Sequence, residues 1–174
     1  MTTHGYRRRY QIIPIEDIDG DSICIKETEE SVRKFAYEYP PNVNSIVLKN
    51  YIPCSISPFL VTLPEIKRCK VREVYGRHVL RCELDEHEDT DLIWCLNNLY
   101  KIFSVGGNVS VHPLYKEEDK MYVLNLNMKG CSIDGKYIEN EYFTCKCAIE
   151  FECMFITEQL SYVIMNVKYI KITS

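Results

Sequence analysis

The residues best placed to do chemistry fall between positions 67 and 81. They are Lys67, Arg68, Lys70, Arg72, Arg77 and Arg81, with Tyr75 among them. Arg68, Lys70 and Arg72 alternate with Cys69 and Val71, so in a strand they share the solvated face. Such a face can follow a phosphate backbone while an aromatic ring stacks a base. The same pattern also serves as the wet side of an edge strand, where charge blocks aggregation. Arg7-Arg8-Arg9, flanked by Tyr6 and Tyr10, is a second basic cluster. It reads as an arm for phosphates or an acidic partner, or as a solvated terminus. The run from Glu83 to Asp91 carries carboxylates and His87, ligand types for a divalent cation. It lacks the spacing and glycine of a calcium loop, and it suits the positive end of a following helix.

Cys145 and Cys147 are one residue apart, with Cys153 beyond. Zinc pairs need two to four intervening residues in a turn. Inside a strand these cysteines read as small core hydrophobes. The chain has no Gly-x-Ser-x-Gly elbow, no phosphate loop and no dinucleotide fingerprint. No metal or cofactor is expected, and no catalytic residue is assigned. Catalytic groups dispersed over a β scaffold stay open as a reading, with the balance against an enzyme.

The 174 residues fit one domain. A hydrophobic fraction of 46% and a charged fraction of 26% exclude a disordered chain. The net charge of -4 weighs against a duplex binder that lives on phosphate contacts. It leaves room for a local basic groove. Nine irregularly spaced cysteines make a poor disulfide framework. With no signal peptide and no apolar run of membrane length, they point to reduced thiols in cytoplasm or nucleus, with no membrane partner. Frequent Tyr, Ile, Asn and Lys hint at AT-rich coding DNA, as in many large DNA viruses.

These residues need elements to position them. Tyr10 to Pro14, Ser22 to Lys26 and Ser45 to Ile52 read as strands. Val32, Phe35, Ala36 and Tyr39 fall at i, i+3, i+4 and i+7. That spacing predicts a helix, capped by Thr28 and stopped by Pro40-Pro41. Lys67 to Val74 and His78 to Leu84 form a hairpin around Tyr75-Gly76-Arg77. Leu92, Leu96, Leu99 and Phe103 make the stripe of a helix capped by Asp89 or Thr90 and ending before Gly106-Gly107. Trp94 falls beside that stripe and is expected to be partly buried.

Tyr122 to Lys129 alternates, and Phe143 to Phe155 alternates more strongly. Leu160 to Ile172 is its partner, with a bulge or sharp coil near Tyr169 where the apolar face shifts. The expected fold is mainly antiparallel β with one or two short helices. It is an OB-like closed or partly closed barrel, or alternatively a β-sandwich. Residues 1–174 form one domain, with 1–52 packing on a main body of 53–174.

The stretch from Lys120-Met121-Tyr122-Val123 through the long strand to Tyr169-Ile170-Lys171-Ile172 resembles the OB-fold single-stranded DNA-binding proteins of phages and large DNA viruses. The chain departs from that family in closing on Lys171-Ile172-Thr173-Ser174 rather than an acidic tail, and in having few wet-face aromatics. The resemblance implies non-catalytic coating of single strands in replication or repair. The basic hairpin would bind backbone, and Tyr75, Tyr142 and Tyr169 would stack bases. The competing reading is a structural or interaction protein that forms a homo-oligomer or takes a protein partner through an apolar patch or open strand edge.

Overall fold

The computed structural model describes residues 11–18, 25–27, 33–38, 46–56, 59–104, 112–156 and 161–174. Its strands are β1 (Gln11–Pro14), β2 (Ile25–Glu27), β3 (Arg33–Glu38), β4 (Ile46–Ile56), β5 (Phe59–Thr62), β6 (Ile66–Val74) and β7 (Arg77–Leu84). After helix α1 (Thr90–Ser104) come β8 (Lys116–Glu118), β9 (Met121–Asn127), β10 (Ser132–Asp134), β11 (Phe143–Ile156) and β12 (Ser161–Ile172). Arg7-Arg8-Arg9, Gly106 and Gly107 lie outside the described residues.

Five strands close a ring. β6 pairs β7, β7 pairs β9, β12 pairs β11 and β11 pairs β6, all antiparallel. A parallel contact between β9 and β12, Asn127 to Asn166, completes it. The ring runs first, second, third, fifth, fourth in chain order, an OB-like barrel. The fold is therefore a barrel and not a two-sheet sandwich.

β11 organises the rest. Fourteen residues at ~3.3 Å each give a strand of roughly 46 Å. One edge pairs β12 from Cys145 to Ile156. The other edge serves β6, then β5, then β4 in succession. β1 lies parallel to β5, while β2 and β3 pair β4. Along β11, Cys145, Cys147, Ile149 and Phe151 are buried on one face, as the alternation requires. Two register shifts accommodate the coiling. In one, Tyr169 opposes Ala148 and Val167 opposes Ile149, so Lys168 is the extra residue. This bulge moves the buried face from Met165 and Val167 to Ile170.

The helix expected around Val32 to Tyr39 is not formed: Arg33–Glu38 is a strand, β3. Six successive residues pair with β4, from Arg33 opposite Tyr51 to Glu38 opposite Ile46. The segment is too short to hold a helix by itself. Phe35 and Tyr37 suit a pleated surface, so ladder pairing overrides the helical spacing. β4 also runs four residues beyond the expected Ile52.

α1 forms where its stripe predicts. Leu92, Cys95, Leu96, Leu99 and Phe103 are buried and join the apolar cluster of the barrel. Phe103 meets Phe151 of β11 at 5.3 Å between ring centroids. The acidic run builds the turn into α1. Asp85 Oδ1 accepts from the backbone N–H groups of His87 and Glu88, and Asp89 Oδ2 accepts from that of Asp85.

Gly135 follows β10 with φ +117, a conformation that excludes side chains. A Cβ there would sit 2.8 Å from Cβ of Ile172. Gly135→Ala is expected to destabilise the fold by about 2 kcal/mol, through both backbone strain and the clash. A melt that leaves the midpoint unchanged would contradict this packing.

Candidate nucleic-acid interface

The β6–β7 hairpin turns on two residues, Tyr75 and Gly76, with φ of +51 and +77. Both being positive matches the type I′ turn that fits the twist of paired strands. Arg77 therefore belongs to β7, opposite Val74, rather than to the turn. Tyr75 is 60% exposed in a conformation that asparagine or glycine tolerates better.

Cys69, Val71, Leu80 and Cys82 point into the core. Arg68, Lys70 and Arg72 of β6, with Arg77 and Arg81 of β7, therefore project from the outer face. Lys67 does not join them. Cys69 pairs Phe143 while Ile66 pairs Cys145, so β6 spends three residues where β11 spends two. Ile66 and Cys69 are both buried across that bulge. It turns Lys67 toward α1, where its charge acts on Asp89.

The cations differ in how freely they can bind a ligand. Arg81 is nearly buried and held by two carboxylates, Glu118 at 3.2 Å and Glu83 at 3.4 Å. It is a structural cation. Arg68 reaches Glu83 at 3.6 Å and lies 4.2 Å from the ring centre of Tyr142. Lys70 Nζ donates to Tyr142 Oη at 3.2 Å and sits 4.6 Å from the same ring centre. The Tyr142 hydroxyl donates to Glu83. Arg72 and Arg77 are exposed, with no ion pair to a described carboxylate. Asn125 and Asn127 of β9 extend the face as exposed amides beside Arg81 and Val79. The outer face thus carries Arg68, Lys70, Arg72 and Arg77, with Tyr75 at the hairpin turn, Tyr142 beside β6 and two amides on β9, and Arg81 locked beneath.

Burial pushes the Glu83 carboxyl up. The Tyr142 hydrogen bond and the charges of Arg81 and Arg68 outweigh it, and the group settles below the usual carboxylate range. Glu152 behaves alike: burial raises it, and bonds from Asn166 and Lys129 bring it down. A carboxylate depressed in the folded state stabilises the fold fully above its ordinary value of 4.5. That stability is lost as pH falls through the folded value. Asp89, raised by burial, works in the opposite direction. The melting point is expected to drop as pH falls from about 4.5, with a shallower drop in Glu83→Gln. Equal slopes for the two proteins would refute Glu83 as a source of the acid sensitivity.

Other groups contribute less. Cys69, Cys82, Cys145 and Cys147 are free and buried, in line with core packing, and the Sγ atoms of Cys69 and Cys145 are 3.6 Å apart. Thiol contacts with Cys145 and burial push Cys69 and Cys147 up, so both stay protonated. Glu73, His78 and Glu139 bring ligand atoms within 4.8 Å of one another and are the group among the described residues that could hold a metal ion, though all three are exposed. Trp94 was expected to be partly buried, yet it is 63% exposed. It lies two residues from both Leu92 and Leu96, so it points away from the stripe. No described helix is long and apolar enough to cross a membrane.

The fold and this face define a class: an OB-like barrel with a cationic, tyrosine-bearing outer hairpin. Compared with protein-family models, curated proteins and solved structures, the chain matches none.

Proposed function

We propose that the chain binds single-stranded nucleic acid along the outer face of β6, β7 and β9. One observation carries the reading: Arg68, Lys70, Arg72 and Arg77 share the outer face, with Tyr142 against Arg68 and Lys70 and the exposed Tyr75 at the turn. OB barrels bind oligonucleotides on their second and third strands and on the loop between the first two. Here those parts are β7, β9 and the Tyr75-Gly76 turn. The cations follow phosphates, the rings stack bases, and Asn125 and Asn127 offer hydrogen bonds to base edges. Stacking tolerates any base, so the binding is weakly sequence-selective. The net charge of -4 disfavours a duplex, whose phosphates are denser.

The test is fluorescence anisotropy of a labelled ~30-nucleotide single strand and its duplex across a salt series. Tight, salt-sensitive binding that prefers the single strand supports the reading. No binding at low salt rejects it, and a stable oligomer in sedimentation would then favour the interaction protein.

Tyr75 separates binding from folding. Asn-Gly is the preferred type I′ pair, so Tyr75→Asn is expected to stabilise the hairpin by roughly 0.5–1 kcal/mol. It also removes a stacking ring, with an expected affinity loss of about fivefold or more. A variant that melts higher yet binds as before would remove Tyr75 from the interface.

A further inference from the structure

A second surface, away from the hairpin face, has the makings of a ligand site. Between the end of β5 and the start of β6, β11 changes partner, and a cleft of about 680 Å³ opens there. Thr62, Leu63, Pro64 and Glu65 form one wall. Lys146, Ala148, Tyr169 and Lys171 form the other.

Lys146 and Lys171 are direct cross-strand partners on β11 and β12. Such side chains leave the sheet about 5 Å apart, and like charges so placed destabilise a sheet. Both are exposed, and neither is ion-paired with a described carboxylate. Glu65 faces them from the other wall, and Asp134 of β10 is the parallel-ladder partner of Lys171. Two pairs further along, on the same face, Tyr169 stands opposite Ala148. The small Ala148 side chain and the Tyr169 ring both line the cleft, and Tyr169 is 42% exposed. The Tyr169 hydroxyl donates to Asp134 Oδ2 at 3.5 Å, which orients it. An anion between the two ammonium groups would relieve their repulsion, and a planar group would fill the space over the ring.

We propose that this cleft binds a nucleoside phosphate, with the phosphate between Lys146 and Lys171 and the base on Tyr169. The site stands independently of the hairpin reading. Its ligand is a free mononucleotide or one unit of a strand.

The test is calorimetric titration of the full chain with thymidine 5′-monophosphate, thymidine and inorganic phosphate, and with a short thymidine oligonucleotide. The mononucleotide is expected to bind at least ~10-fold tighter than either fragment, since it alone meets both halves of the site. Binding of the oligonucleotide alone, lost in Lys171→Glu, would assign the site to a strand unit. Lys171→Glu is the decisive variant. It places a carboxylate opposite Lys146 and beside Asp134, so attraction and repulsion offset and the protein should melt as the wild type does, while affinity falls at least ~10-fold. Loss of binding in a protein of unchanged melting point cannot come from unfolding. Tyr169→Ala should weaken mononucleotide binding about fivefold or more, and Arg72→Glu/Arg77→Glu should leave mononucleotide binding unchanged. Equal affinity for phosphate and nucleotide, no effect of Lys171→Glu, or loss of mononucleotide binding in the Arg72→Glu/Arg77→Glu protein would each overturn the proposal. These outcomes leave the hairpin reading to its own anisotropy test.

Discussion

Arg72→Glu/Arg77→Glu is expected to weaken single-strand binding about 100-fold at physiological salt, about 2.7 kcal/mol by the usual conversion. Each phosphate neutralised on a single strand adds about 0.7 to the slope of log affinity against log salt. Removing two cations therefore lowers the slope by about 1.4, which at physiological salt is worth roughly tenfold. Reversing the charges adds repulsion of similar size. These two residues are chosen because both are exposed and neither has an ion pair to a described carboxylate. Arg68 and Lys70 would give a less clear answer, since both also contact Tyr142. Stability should barely change, because no described contact is broken. Unchanged affinity and slope would move the strand off the hairpin and reject the proposed interface.

The parts of the fold set by local physics were legible in the residues. The hairpin follows from alternation on both sides of Gly76, and α1 from its apolar stripe. Even the bulge at Lys168 shows as a shift of the apolar face from Val167 to Ile170. Parts set by distant partners were not legible. Arg33–Glu38 carries a helical spacing, and only the ladder with β4 makes it a strand. Ring closure rests on a parallel contact between Asn127 and Asn166, far apart in sequence. The candidate site divides in the same way. Its cations were visible as an alternating run, but their roles depend on groups that converge from elsewhere. Glu83 read as part of an acidic turn, yet it lies across from Arg68 and under Tyr142. Lys67 looked equivalent to Arg68 until a bulge rotated it away. Trp94 is the exception, since its offset of two from Leu92 and Leu96 already placed it off the buried stripe.

That division has its largest energetic consequence at Arg81, which sequence pattern groups with the binding cations. Arg81→Met is expected to cost about 3 kcal/mol of stability, a fall in melting point of roughly 10 °C. The guanidinium is 12% exposed and the Glu83 side chain 9% exposed. Methionine fills most of the apolar stem, so the cost is electrostatic. It leaves Glu83 buried with only Tyr142 and the more distant Arg68 to hold its charge. Arg81→Met/Glu83→Gln removes that stranded anion, and glutamine still accepts from Tyr142. The double variant should therefore recover at least half of the loss, a coupling that two independent residues would not show. Additive losses in the cycle would mean that Arg81 and Glu83 do not act as a pair. A stable Arg81→Met protein with strand affinity reduced severalfold would make Arg81 a binding cation. The expected result instead separates the two layers of this face: a buried pair that fixes the geometry of β7, and an exposed file of cations that the pair holds in place for a ligand.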